Sequence, residues 1–143
     1  MKTTLLGMFL MAFATLLVMP SVATAQIGDV EINVPFEFWV ADTKLAAGKY
    51  HIKQMNEVAA GDSSMEIVSA DGRVSVGFLT LPASLESEPE KGGVNFKDYG
   101  GKRYLNQVFV AGNKDGVEVL PGRSEKKHIK SGKTAKMHKH PAS

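Results

Sequence analysis

Between Val30 and Val40 every even position is apolar: Val30, Ile32, Val34, Phe36, Phe38 and Val40. The odd positions carry Glu31, Asn33, Pro35, Glu37 and Trp39. Side chains of an extended chain point alternately to opposite faces, so a period of two predicts a strand with one buried face. Pro35 has no N–H to give to a ladder, which makes this strand an edge or breaks it with a bulge. A one-residue bulge there would exchange the two faces beyond it.

The rest of the body reads in the same way. The turn Ala41-Asp42-Thr43 leads through Leu45 and Gly48 into a strand with Tyr50 and Ile52 on one face. Residues 64–69 and 73–80 flank Asp71-Gly72, a strong hairpin signal, with Val74, Val76 and Phe78 as the second strand's inward row. Residues 94–99 and 102–111 flank Gly100-Gly101, a second hairpin, and Val117 to Leu120 follow the turn at 112–116. Glu86 to Gly93 reads as a loop. No stretch of the body sustains a helical apolar period, and no internal repeat is evident. The expected fold is all-β: about seven antiparallel strands in a small sandwich or barrel.

The two ends differ from this body. Lys2, the uncharged run Leu5 to Met19, Pro20 and Ala23-Thr24-Ala25 follow the order of a secretory signal peptide, so residues 1–25 are expected to be removed on export. The apolar run would span about 22 Å as a helix at about 1.5 Å per residue, short of the roughly 30 Å hydrocarbon core. A mature chain beginning at Gln26 is expected to have no transmembrane segment and to be periplasmic or extracellular. The chain has no cysteine, so its fold stands on its apolar core, and thiol catalysis, Cys-ligated zinc and iron–sulfur centres are excluded. The β-domain at 26–121 holds nine Lys or Arg against fourteen Asp or Glu, a net of −5. The segment 122–143 holds seven against one, a net of +6. With few apolar residues, this Lys/His-rich tail is expected to be disordered.

Val34-Pro35-Phe36-x-Phe38-x-Val40, followed by Leu45-x-Ala47-Gly48-x-Tyr50, resembles an uncharacterised family of small secreted bacterial β-rich proteins. Their pattern pairs a P-F-x-F-x-V strand with an L-P-A-G-x-Y turn, and a tyrosine-led strand like Tyr104 to Val110 comes later. The resemblance covers about Val30 to Arg123, with Ala46 standing where the pattern prefers Pro. The turn is also similar to prealbumin-like repeats of carboxypeptidase-regulatory β-sandwiches. Neither resemblance implies an activity, a cofactor or a catalytic residue.

Chemistry is sparse. The body holds one histidine, His51, on a strand and opposite the apolar row. No nucleophile–base motif accompanies it, so no catalytic residue is assigned. Trp39 shares the polar face of its strand with Glu31 and Glu37, and an exposed indole beside carboxylates suits stacking on a sugar. Trp39 and Glu37 are therefore the candidate ligand-binding pair. Arg123, Lys126, Lys127, Lys130, Lys133, Lys136 and Lys139 are candidates for holding an anionic surface. His138 and His140 form an H-x-H pair that could take a metal weakly. The expected function is that of a non-catalytic exported domain with a binding or structural role in the envelope or outside the cell, with cell-envelope polysaccharide or another anionic surface as the candidate partner, and without a cofactor. The alternatives are a small carboxylate-based hydrolase and a subunit of a secreted assembly.

Overall fold

The computed structural model describes residues 27–57 and 63–143; the residues read as a signal peptide, 1–25, lie outside the described residues. Among the described residues ten strands and one short helix follow in order: β1 (Val30–Val34), β2 (Phe38–Val40), β3 (Thr43–Leu45), β4 (Gly48–Glu57), β5 (Ser63–Ser69), β6 (Ser75–Ser84), β7 (Gly93–Asp98), β8 (Arg103–Phe109), β9 (Asp115–Val119), α1 (Arg123–Lys130) and β10 (Lys136–Pro141). The all-β expectation holds, with ten strands in place of about seven. Among the described residues no helix is long and apolar enough to cross a membrane.

The strands join in the order β1-β4-β5-β6-β9-β8-β2-β3, with β7 on β8 and β10 on β7. Every pairing is antiparallel except that of β2 with β8, where Trp39 lies in parallel register with Tyr104. The sheet curls around one core. Val30, Ile32 and Val34 of β1, Ile52 of β4, Met65 and Ile67 of β5, and Val94 and Phe96 of β7 all belong to it. Phe38 sits fully buried between the arms, edge-on to Tyr50 at 5.4 Å and to Phe96 at 5.3 Å.

Pro35 breaks the first apolar stretch rather than bending it. β1 pairs with β4, whereas β2, three residues later, pairs with β3 and β8. The excursion through Pro35 leaves the parity intact, so Val34, Phe38 and Val40 all face the core. Both glycine hairpins form: Gly72 has φ 72°, and Gly100 and Gly101 have φ 71° and 98°, left-handed values that suit a residue without Cβ. The Tyr50 hydroxyl donates to the Ala46 carbonyl at 2.7 Å, closing the turn into β4. Val74, expected in the inward row, is 40% exposed. It lies before β6, where its N–H donates to Ser69 Oγ to close the turn.

The basic segment 122–143, expected to be disordered, is ordered. Lys136 to Pro141 lie antiparallel along the whole of β7. Beyond Pro141, which has no N–H, contact with β1 is a single bridge between Ile32 and Ala142. The Ser143 N–H adds a bond to the Glu31 carbonyl at 2.9 Å. The segment therefore closes most of the gap between the two arms without a full ladder. Few apolar side chains are needed for this, because backbone pairing and polar contacts carry the attachment.

Candidate functional site

Arg123 to Lys130 is built from good helix formers. Glu125 in the first turn and Lys127, His128 and Lys130 in the last turn complement the helix dipole. Its start is fixed from outside the segment. Ala41, at φ 51°, turns the β2–β3 corner so that Asp42 Oδ1 accepts the Ser124 N–H at 3.2 Å.

The helix has two distinct faces. At 3.6 residues per turn, Arg123, Lys126, Lys127 and Lys130 fall within an arc of about 100°. All four are exposed, and among the described residues none forms an ion pair. The opposite face presents Ser124, Glu125 and His128 to the outside of the sheet.

Under that face lies an aromatic cluster outside the main core. Tyr104, fully buried, shares a hydrogen bond with Ser124 Oγ at 2.7 Å. The Tyr99 hydroxyl donates to Glu125 Oε1 at 3.3 Å. His128 stacks on Tyr99, 5.3 Å between centroids and 16° between planes, and meets Tyr104 edge-on at 6.0 Å. Trp39 stacks on Tyr104 at 6.1 Å and 29°. Glu125 is only 4% exposed. Burial pushes its carboxyl above the ordinary glutamate range, and Glu118 adds to this. Lys97, itself 3.5 Å from Glu118, and the Tyr99 hydroxyl pull it back. Desolvation, reinforced by Lys133 and Lys102, holds the His128 imidazole below its usual value.

The residues singled out in the sequence divide between these surroundings. Trp39 is half-buried and gives a ring face to Tyr104, whereas Glu37 is exposed and paired with Lys44 at 3.0 Å. The seven cations from Arg123 to Lys139 are all exposed, with Lys133 in the turn after α1 and Lys136 and Lys139 on β10. His138 and His140 share one face of β10 but are engaged separately. His138 Nε2 lies 3.6 Å from Asp98 Oδ2, a carboxylate that Arg103 already meets at 3.2 Å. The His140 ring donates from Nε2 to the Asn33 carbonyl at 3.0 Å and packs edge-on against Phe36 and Phe96. Among the described residues no group of three or more potential ligands could hold a metal ion. His51 lies 3.9 Å from Glu31 on the outer face.

The sequence reading did not anticipate Ser124, Glu125, His128, Tyr99 and Tyr104 as one assembly. The available signal was the i, i+3, i+4, i+7 spacing of the cations, a helical face hidden in a composition typical of disorder. Within the assembly the Ser124 hydroxyl is engaged by Tyr104 and the Glu125 carboxyl by Tyr99. In comparisons with known proteins, no family model, curated protein or solved structure matches the chain.

Proposed function

We propose that this protein is an exported, non-catalytic binding module that docks on an acidic polysaccharide through the basic face of α1. One observation carries the reading: Arg123, Lys126, Lys127 and Lys130 form an exposed row in which, among the described residues, none is ion-paired, on a helix whose other face is anchored to the sheet. A row spanning about 10 Å on a fixed backbone loses less conformational freedom on binding than the same cations on a disordered chain. The body bears a net −5 and the segment +6, so the molecule orients its basic side toward a negatively charged partner as it approaches. The outward arc of α1 carries no apolar side chain. Ile129, 48% exposed, lies at its flank. That arrangement suits a hydrated linear polyanion better than insertion into a bilayer.

The test is retention of the protein on immobilised acidic polysaccharide, with anionic vesicles and double-stranded DNA as competing surfaces. Retention should fall steeply as the Debye length shrinks from about 30 Å at 0.01 M salt to about 8 Å at 0.15 M. The double variant Lys126→Glu/Lys130→Glu should abolish it while the fold persists. Salt-independent retention, or full retention by that variant, overturns the reading, and preference for vesicles or DNA replaces polysaccharide with that partner.

A further inference from the structure

The acid beneath the basic row is the one feature of α1 that anion docking leaves without a role. Glu125 is the sole acidic residue of the segment 122–143, and it is 4% exposed. It is enclosed by groups from several elements. Lys97 of β7 faces it, with a charge shared with Glu118 of β9 at 3.5 Å. Tyr99, just past β7, donates to it at 3.3 Å, and Tyr104 of β8 touches Tyr99 edge-on at 5.8 Å. His128 lies one turn further along α1, and Asp42 sits at the helix N-terminus. Arg123, Lys126, Lys127 and Lys130 lie across the helix from it, on the outer arc of the same two turns.

We infer that docking of a polyanion on α1 is coupled to the uptake of one proton by Glu125. This rests on the docking reading above and adds its regulation. In the free protein Lys97 favours the ionised carboxylate against the cost of burial, and the cations of the outer arc, on the same two turns, add a field of the same sign. A bound polyanion cancels that field and places negative charge across a helix about 10 Å wide. In the poorly screened space under the helix, the carboxylate then takes a proton from solvent to become a carboxylic acid. No other bond changes, and the Tyr99 hydroxyl can still donate to the remaining carbonyl oxygen. Because linkage is reciprocal, acidification must tighten docking as much as docking tightens the proton. Each unit by which the polyanion raises the carboxyl's affinity for protons returns about tenfold in affinity for the polyanion. The physical consequence is a module that grips an acidic surface harder in a mildly acid medium.

The experiment is titration calorimetry of the protein with a sulfated dextran oligomer, whose own charge does not titrate in this range. Runs at one pH in two buffers of different ionisation enthalpy give the number of protons taken up per binding event. The native protein should take up protons at a pH above the ordinary glutamate range, and Glu125→Gln should bind but lose most of that uptake. His128→Gln should retain it. Equal uptake by the native protein and Glu125→Gln overturns the proposal and assigns the protons to the histidines. Absence of binding by the native protein at low salt is failure of the docking reading instead, and is recognisable as such. Should Glu125→Gln not fold, Tyr99→Phe decides: loss of its donor must move the uptake to higher pH, and an unmoved profile overturns the proposal.

Discussion

The carboxylate of Asp42, in the corner between β2 and β3, accepts the backbone N–H of Ser124 at 3.2 Å, 82 residues further along the chain. The first N–H groups of a helix lack partners of their own, and here Gly122 at the N-cap position offers no side chain. Asp42 takes that role from a distant strand corner and places a negative charge at the positive end of the helix dipole. Asp42→Ala should cost about 1 kcal/mol, as loss of a cap does. The loss should concentrate in α1, read as faster amide exchange at residues 124–127 with little change in β4 or β5. Uniform loss of protection across the protein would show that Asp42 acts on the global fold instead.

Phe38 joins the two arms of the sheet. It is fully buried and meets Tyr50 on one side and Phe96 on the other. Truncation to Ala removes both edge-on contacts and leaves a cavity where little can collapse. Phe38→Ala is expected to cost roughly 3–5 kcal/mol, measured as a lowered urea midpoint. A cost below about 1 kcal/mol would mean that Phe38 is not packed as described.

The even row from Val30 to Val40 was legible because burial on one face of an extended chain forces a period of two, and Asp71-Gly72 and Gly100-Gly101 were legible because their turns demand left-handed backbone. What Pro35 does was only half legible. A missing N–H says that a ladder stops, but the new partners of Phe38 to Val40 come from β3 and β8, which local sequence does not specify. The order of the segment after Gly122 escapes the local sequence for a related reason. Lys136 to Pro141 have no strand-like alternation and become a strand because β7 offers an open edge. The burial of Glu125 depends likewise on Tyr99 and Tyr104, brought under α1 by tertiary structure alone.

Glu125 and His128 should give α1 opposing responses to pH. Burial, with Glu118 behind it and Lys97 and Tyr99 opposing, raises the Glu125 carboxyl above the value it has in an unfolded chain. The folded protein therefore holds that proton more tightly. Stability rises as pH falls through the raised value and levels off below the ordinary one, near 4.3. His128 is shifted the other way by desolvation, Lys133 and Lys102, so stability is lost as pH falls below the ordinary imidazole value, near 6.5. Glu125→Gln removes only the first effect. It should melt higher than the native protein at neutral pH, and the advantage should shrink as the pH approaches about 4. A difference between the two proteins that stays constant across this range would sink the assignment.

Gly93 allows the closing strand to be tested apart from the helix. A Cβ at this position would collide with the His140 carbonyl and come within 3.0 Å of Pro141 Cα and 3.1 Å of Ala142 N. These are backbone atoms at the end of β10, beside the bridge from Ala142 to Ile32. Gly93→Ala must therefore push this end of β10 away from β7, at a cost of about 1–3 kcal/mol for forced overpacking. The contacts of Asp42, Tyr99 and Tyr104 with α1 lie at the far end of β7 and beyond it, and they do not include Gly93. Amide protection should fall in β10 and at Ser143, whose N–H bonds to Glu31, while residues 126–130 stay protected. If retention on acidic polysaccharide survives this change, the cations of α1 suffice for docking. If retention is lost with α1 still protected, Lys136 and Lys139 on β10 are part of the same surface.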